Sequence, residues 1–441
     1  MIDLFKYKVL NDQVLSLRFK GNNPHLIPRL GLINHGPFKL LEHPELSIRF
    51  IYPRKGDLKN VVKRFIQVLM RGERKFLGFE KIYRTKPLFL EEIEVDFQEM
   101  LNPSKSRKLK DILMNDVSLS PRPIYIALVP PYPRWFKWSP YYTLKAYLLQ
   151  HNIMSQMIKF DTLTYRPLDE VAFNVSNAIF AKAGGEPWRL WSRIPSFSGT
   201  SDKVIIVGTG ISRIPKEPGF KEYDRYAGFT ILYSDEGQLL YIKTFVTEYD
   251  KQAVTKKLNE AIIEAIDSFN VYGELDLIIH YAGKELSHQE EEEIVKTISQ
   301  IKEMRMLRIN YVVLRIIRNP LYRVFSETEH GYPPMGMYVR IGERLLLTYT
   351  IGYLQGMRPM GVPIPLLLSI RLSNLSINDV DLEALVASVC EFARLNWRGT
   401  NLFNREPVTV KYSRLLAYLA SSLREVGLNT GALPRKKPWF L

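Results

Sequence analysis

The sequence predicts an α/β protein with more than one domain. Apolar residues make up 46% of the chain, which is typical of a folded globular protein. Its 441 residues are enough for two or three domains, each with its own core. Patterns typical of strands and of helices alternate along both halves, which favours sheets covered by helices.

The first half is predicted to be a small α/β domain with a parallel sheet. Residues 1–30 have the pattern of short strands and turns. The apolar run YIALVP (125–130) is bounded by prolines, which indicates a buried strand. MIKFDTL (157–163) is predicted to be a second strand, and EVAFNVSNAIFAKAGG (170–185) a helix that ends at its glycines.

Between these two strands, SPYYTLKAYL (139–148) predicts a helix. Ser139 is expected to cap the free N–H groups, and Pro140 suits the first helical position. Tyr141 and Lys145 lie one turn apart on the same face. A helix start with an aromatic ring and an ammonium group is suited to an anion attached to a flat ring. The alternative is a core tyrosine and a solvated lysine.

The second half has the order of an RNase H-like fold, namely three meandering strands, helix, strand, helix, strand. Gly, Pro and Ser mark a boundary near residues 180–200. The predicted elements are a strand at 203–214, a hairpin at 228–246 with its turn at DEG, a helix at 255–269, a strand at 275–283, a helix at 287–304 that Ser287 and Glu290 open with a capping box, and a strand at 308–317.

Composition and charge restrict the possible partners and sites. The net charge of +15 favours a polyanion, nucleic acid first and an acidic membrane surface second, although a lysine-rich surface alone would also give it. The single cysteine, Cys390, lies in an apolar context and is expected in the core. The histidines have no metal-ligand spacing. Neither a signal peptide nor a membrane-spanning segment is expected, which predicts a cytoplasmic protein without membrane insertion.

The acidic residues of a two-metal nuclease are missing from the predicted strands. An RNase H-like nuclease needs carboxylates on its first strand and at the end of its fourth. Those positions fall here at Gly210 and Ala282, which cannot bind a cation. Asp235 and Glu236 lie in the predicted hairpin turn and are expected to be solvated. GTG (208–210) lacks the ending of a phosphate-binding loop. The sequence therefore predicts a fold that handles nucleic acid without cutting it.

Several blocks of sequence resemble one known family. AGGEPWRL, IIVGTGISRI, LNWRG (395–399), EPVTVKYSRLLAYLA (406–420) and the final PWFL are similar to the PIWI domain of short prokaryotic Argonautes of the archaeal Piwi-like kind. The resemblance implies a Rossmann-like MID domain packed on an RNase H-like PIWI domain. The domains implied are N-terminal strands packing on PIWI (1–35), MID (36–180) and PIWI (181–441).

In this family the MID domain binds the phosphorylated 5′ end of a guide strand. The resemblance implies that Tyr141 stacks on the first guide base and that Lys145, Gln156 and Lys182 contact the phosphate. It also implies that the carboxylate of Leu441 helps to hold Mg²⁺ or another divalent cation there. Some relatives have a further carboxamide ligand where this sequence has Ala178, and the adjacent residue, Asn177, would face differently.

The last catalytic position of the family falls at or near Arg414. With Gly210 and Ala282, this residue implies a catalytically inactive PIWI domain. An arginine here suggests phosphate binding where the metal ions would have been, although it could equally be an ordinary surface arginine.

The resemblance therefore implies a guide-directed recognition module. It would bind a short 5′-phosphorylated guide, RNA by analogy, and a complementary target, DNA by analogy, without cleaving it. Further implied partners are a separate effector of prokaryotic immunity and a protein similar to the N-terminal half of long Argonautes. Two alternatives stay open, a guide-dependent endonuclease with non-standard metal ligands and an interaction protein that has lost guide binding.

Overall fold

The computed structural model describes residues 6–441, with gaps at 133–137, 216–222, 249–255, 257–259, 261, 265, 267–272, 283–284, 326–330, 430 and 432. The chain divides into two compact units. Unit 1 comprises Met1–Leu17, Arg189–Asn396 and Asn401–Tyr418. Unit 2 comprises Arg18–Trp188, Trp397–Thr400 and Leu419–Leu441, so the last residues of the chain belong with its first half.

Strands and helices alternate along the described chain. The strands are β1 (Tyr7–Val9), β2 (Leu17–Phe19), β3 (Asn23–His25), β4 (Glu45–Pro53), β5 (Lys86–Phe89), β6 (Ile93–Val95), β7 (Ile124–Val129), β8 (Ser155–Lys159), β9 (Arg189–Leu190), β10 (Val204–Pro215), β11 (Tyr223–Ser234), β12 (Leu239–Glu248), β13 (Glu274–Tyr281), β14 (Arg308–Ile317), β15 (Met337–Gly342), β16 (Leu345–Thr348) and β17 (Leu366–Ser373). The helices are α1 (Pro28–His35), α2 (Leu58–Arg71), α3 (Phe79–Tyr83), α4 (Phe97–Leu101), α5 (Arg107–Val117), α6 (Pro140–Gln150), α7 (Phe160–Tyr165), α8 (Leu168–Ala183), α9 (His288–Arg305), α10 (Leu382–Arg394) and α11 (Val408–Glu425).

Unit 2 contains the predicted parallel sheet, in the order β5-β4-β7-β8, with β6 paired to β4. Every residue of β7 is buried, as expected for a central strand covered on both faces. Helices α6 and α8 are apolar nearly all round, and most of their residues are buried. Because most positions of these helices are buried, Lys145 on α6 and Lys182 on α8 are carried into the interior.

Two local predictions in unit 2 are wrong. Ser139 occupies the N-cap position of α6 without a side-chain cap bond, and its carbonyl oxygen accepts from the N–H groups of Tyr142 and Thr143. Pro140 has no N–H, so this helix start has fewer donors to satisfy. The strand expected at 157–163 is β8, which ends at Lys159 because its partner β7 ends there, and the next residues form α7.

Unit 1 is built on a nine-stranded sheet in the order β1-β15-β16-β17-β14-β13-β10-β11-β12. Within it, β10, β11 and β12 form the predicted antiparallel meander, and β10, β13 and β14 run parallel. This confirms the RNase H-like strand order. The sheet is wider than predicted, since β17, β16, β15 and β1 continue it beyond β14.

The connections in unit 1 agree with the local sequence signals. The β11–β12 turn lies at DEG, where Gly237 has a φ of +77°. Helix α9 begins with the predicted capping box, in which Glu290 accepts from the Ser287 N–H at 2.7 Å. Most of the helix predicted at 255–269 lies outside the described residues, and those described there are helical. Among the described helices, none is long and apolar enough to cross a bilayer.

Candidate nucleic-acid interface

Two lysines are buried inside unit 2. Lys145 on α6 is 1% exposed and Lys182 on α8 is fully buried. Most residues of both helices are buried. The two lysines are therefore in the interior because the helices that carry them are. An ammonium group in such a place must be hydrogen-bonded or lose its charge.

Lys182 lies at the centre of a group of oxygen atoms. Its Nζ donates to the main-chain oxygen of Ser155 at 2.8 Å and to Gln156 Oε1 at 2.5 Å. It also donates to a main-chain oxygen of Leu441 at 2.7 Å. An ammonium group has three N–H donors, so these contacts use all of them.

Lys145 lies beside the same C-terminal segment. Its Nζ donates to the main-chain oxygen of Trp439 at 3.1 Å. Trp439, Phe440 and Leu441 are buried, as the aromatic ending of the sequence predicts. Contacts from the two lysines therefore reach Gln156 and the end of the chain, which are far apart in sequence.

The electrostatics of this site favour an anion. Burial, together with repulsion from the nearby positive charge of Arg398, lowers the pKa of Lys145 to about 7. Burial also lowers the pKa of Lys182 well below its ordinary value, with added repulsion from Lys145 and Arg398. Within the described part of the chain, neither lysine forms an ion pair with an Asp or Glu side chain. A bound anion would add negative charge beside the two lysines and Arg398.

The other residues predicted for this site lie around it. Tyr141 is one turn before Lys145, is partly exposed and meets Tyr142 edge to face with ring centroids 5.0 Å apart. Gln156 is partly exposed on β8. The structure thus brings Lys182, Gln156 and Leu441 into direct contact and places Lys145 against the same chain end, while Tyr141 lies at the start of α6.

A divalent cation would find oxygen donors here of the type that Mg²⁺ prefers. Gln156 Oε1 and Leu441 both present oxygen atoms to Lys182. Ala178 supplies no ligand, and Asn177 is committed elsewhere, since its Nδ2 donates to the Trp397 carbonyl oxygen at 2.6 Å. No group of three or more His, Cys, Asp or Glu side chains among the described residues could hold a metal ion. The residues present fit a cation by donor type, with few protein ligands.

The second predicted site lies at the carboxyl ends of the parallel strands of unit 1. Gly210 pairs with Phe229 in the β10–β11 ladder, so GTG is part of a strand and not a phosphate-binding loop. The N–H of Ala282 donates to the Thr209 carbonyl oxygen at 3.1 Å, which places Ala282 beside Gly210. Neither residue carries a side-chain oxygen.

Arg414 lies on α11 with its side chain 45% exposed. Its guanidinium contacts the carboxylate of Glu406, which also pairs with Arg318 at 3.5 Å. Arg414, which the resemblance places at or near the last catalytic position, therefore shares Glu406 with Arg318. Its partners Arg318 and Glu406 were not identified from the sequence.

Sequence reasoning also missed His280, which lies buried on β13. Its Nδ1 is 2.8 Å from Thr409 Oγ1, and its Nε2 is 3.0 Å from Ser388 Oγ. Because Ser388 donates its own proton to the Leu385 carbonyl oxygen, His280 Nε2 is the donor in the second bond. Burial lowers the pKa of His280 to about 3, so the ring is neutral and holds α10 and α11 on the sheet.

The turn acids Asp235 and Glu236 are not the solvated residues expected. Their side chains are 18% and 23% exposed, and both pair with Arg193. Burial raises the pKa of Asp235. Cys390, by contrast, is buried as predicted, and burial raises the pKa of its thiol to about 12.

The family model for the Piwi domain matches residues 136–423, which is more than half of the chain. This chain belongs to the Piwi domain family. A curated relative, the Piwi protein of Archaeoglobus fulgidus, is 26% identical over 320 residues, which make up 68% of this chain and 71% of that protein. The family predicted from the sequence is thereby confirmed.

Solved Argonaute structures share the fold of this Piwi-family chain. Argonaute from Aquifex aeolicus matches with a TM-score of 0.62 at 18% identity, over 99% of this chain and 56% of that one. Clostridium butyricum Argonaute, solved with a guide DNA and a 19-mer target DNA, matches with a TM-score of 0.71 at 16% identity, over 100% of this chain and 55% of that one. The chain spans a little over half the length of these Argonautes, and the fold class predicted from its sequence is confirmed.

Proposed function

We propose that this Piwi-family protein binds a short guide strand by its 5′-phosphate and uses the guide to capture a complementary strand without cutting it. The observation that carries the proposal is the gathering of Lys145, Lys182, Gln156 and Leu441 in one buried site of unit 2. Two largely buried helices bring the two lysines there, and a terminal phosphate of nearly two negative charges would match them.

The residues of the site have separate tasks in this proposal. Lys145 and Lys182 contact the phosphate oxygens, and Gln156 donates through its carboxamide. Lys182 must then give up some of its present bonds to Ser155, Gln156 and Leu441. Tyr141, partly exposed at the start of α6, stacks on the first base, a contact that tolerates any base and therefore many guides.

The carboxylate of Leu441 and Oε1 of Gln156 are the atoms that would hold Mg²⁺ or another divalent cation at this site. Such an ion would add positive charge beside the guide phosphates. Because Ala178 provides no further ligand and Asn177 is bonded to Trp397, we expect the ion to depend on the guide for most of its coordination.

We propose that the captured strand is not cleaved, because Gly210 and Ala282 stand at the positions where a two-metal mechanism would require acids. Gly210 and Ala282 have no side-chain oxygen to offer a cation, and the positive charge of Arg414 would repel one. We further propose an RNA guide, a DNA target and a separate effector of prokaryotic immunity. The net charge of +15 supports a nucleic-acid partner.

The experiment that tests this function loads the protein with a 5′-phosphorylated guide RNA and adds labelled complementary DNA with Mg²⁺. We expect the DNA to be retained and to stay full length, whereas DNA of unrelated sequence is not retained. A product cut opposite the guide would instead establish a guide-dependent endonuclease. Equal retention of matched and unmatched DNA would favour an interaction protein without guide-directed recognition.

A further inference from the structure

Two arginines pair with one glutamate beyond the carboxyl end of β14, and two further arginines lie near them in unit 1. Arg318 follows the end of β14, and Arg405, Glu406 and Arg414 lie just before and within α11. Arg323 belongs to the same group, since its charge and that of Arg318 both act on Arg405. Four cations against one carboxylate leave three positive charges without a counter-charge in the group.

Glu406 bridges the two outer arginines. One of its carboxylate oxygens is 3.5 Å from Arg318 Nη1, and the other contacts Arg414 Nη2. The Glu406 side chain is only 14% exposed, whereas both arginine side chains are 45% exposed. Each guanidinium has five donors in a fixed plane. A contact to Glu406 uses one of them, so both groups keep donors that face solvent.

Arg405 is held in place by hydrogen bonds to neighbouring loops. Its guanidinium donates to Asn319 Oδ1 at 3.4 Å and to the Pro365 carbonyl oxygen at 3.1 Å, which fixes the loop after β14. Its Nε is buried without a hydrogen-bond partner. Burial lowers the pKa of Arg405, and repulsion from Arg323 and Arg318 adds to this against the attraction of Glu406. The fold therefore holds like charges together at a cost.

The opposite end of the same strand shows the ordinary arrangement. Arg308 begins β14, pairs with the single acid Glu274 at 3.4 Å and is 84% exposed. There one arginine pairs with one carboxylate, so the charges of this pair balance. The crowding of arginines is therefore a property of one end of β14 and not of the strand as a whole.

That end is the one where the catalytic acids of the fold would have been. In the parallel ladder Tyr281 on β13 pairs with Arg315 on β14, and Ala282 is the next residue after Tyr281. Arg318 comes three residues after Arg315, about 10 Å along the strand direction. Gly210, Ala282 and Arg318 thus lie at the same end of the sheet, where the parallel pairing of β10, β13 and β14 finishes.

We propose that Arg318 and Arg414, held by Glu406, bind a backbone phosphate of the strand that pairs with the guide. The site rests on the proposed function, because it needs a guide-loaded protein that captures a target. Its ligand is a phosphodiester. Each guanidinium can give two parallel N–H bonds to non-bridging oxygens, and the uncompensated charge favours an anion. The end of the sheet that would hold the catalytic acids of a nuclease binds a target strand in this proposal.

The test compares the double variant R318Q/R414Q with R308Q/R344Q, which removes two exposed arginines of the same unit. Each protein is loaded with a 5′-phosphorylated guide, and its affinity for complementary DNA is measured at several salt concentrations. We expect both variants to bind the guide as the wild type does, which also shows that they fold. Target affinity should fall about tenfold or more in R318Q/R414Q only, with a salt slope lower by about 1–2.

A set of targets with one neutral methylphosphonate linkage each identifies the phosphate. We expect one linkage, or two adjacent ones, to weaken binding to the wild type and to have no further effect on R318Q/R414Q. Equal target affinities of the two double variants, with normal guide loading, would overturn the inference and leave the proposed function standing. Failure of the wild type to load a guide would overturn both.

Discussion

Lys145 shows what a buried ammonium group costs in stability. Its ammonium is 1% exposed and has, among the described residues, one hydrogen-bond partner, the Trp439 carbonyl oxygen. Its pKa, lowered to about 7 by burial, means that unfolding near neutral pH takes up a proton. A group whose charged form is disfavoured in the fold reduces stability until something binds to it.

We therefore expect K145M to stabilise the guide-free protein by about 1–4 kcal/mol at pH 7, because an apolar side chain of similar volume replaces a buried cation. The sign of the pH effect follows from the same shift. The unfolded chain keeps this proton up to about pH 10.4, whereas the folded chain loses it near pH 7. The destabilisation caused by Lys145 therefore decreases, and the free energy of unfolding rises, between pH 7 and 10.4. Urea unfolding at pH 7 and pH 9 measures both, with K59M on the exposed face of α2 as the control. A K145M protein that is less stable than the wild type at pH 7 would contradict this account.

At the residue level, spacing placed Tyr141 and Lys145 on one helix face, and the family resemblance implied the other residues of the site, but neither gave their bonds. Tyr141 and Lys145 are one turn apart, and such a pair can be found in a sequence. Asp276 could not be found in this way. It is buried, and its carboxylate accepts from Ser196, Ser198, Ser201 and Asn310, residues up to 80 positions away. Long-range polar networks of this kind depend on the assembled fold.

At the scale of elements, the close approach of α11 to β10 explains the glycine at 208. A Cβ on Gly208 would lie 2.5 Å from the carbonyl oxygen of Thr409 and 2.7 Å from its Cα. Thr409 also bonds His280 on the neighbouring strand. The start of α11 is thus pressed against two strands of the sheet, and the GTG sequence serves packing.

We expect G208A to destabilise the protein by about 1–3 kcal/mol, since the added methyl group meets backbone that cannot move without shifting α11. The matched control is G342A on β15, where the nearest atom to an added Cβ is a Leu345 side-chain carbon at 3.4 Å. Thermal unfolding of the two variants gives the comparison. If G208A were no less stable than G342A, the tight packing of α11 on β10 would be in doubt.

Element existence was predictable wherever the chain carried a local signal. The capping box before α9, the glycine in the hairpin turn and the apolar run of β7 all predicted what the structure has. Element boundaries that depend on strand pairing were harder to predict from the sequence. Strand β8, for example, ends at the residue that pairs with the last residue of β7. The strands β15–β17 were missed. They join the sheet through β17, which pairs with β14, a segment distant in sequence.

At the scale of the whole molecule, the positive charge has two concentrations with different surroundings. In unit 2 the cations are buried on apolar helices and meet main-chain and carboxamide oxygens. In unit 1 they are partly exposed guanidinium groups around Glu406. The first is suited to one terminal phosphate and the second to a continuous backbone. A net charge of +15 predicts a polyanion, but it could not locate either concentration.

The claim on which this account depends is that the buried lysines of unit 2 read a terminal phosphate. The most direct measurement is the affinity of one oligonucleotide with a 5′-phosphate and with a 5′-hydroxyl. It should be made on the wild type, on K145A/K182A, and on K59A/K63A, which removes two exposed lysines of α2. We expect the wild type and K59A/K63A to prefer the phosphorylated strand by about a hundredfold, and K145A/K182A to lose most of that preference. Equal affinity of the wild type for both strands, or an unchanged preference in K145A/K182A, would contradict the account.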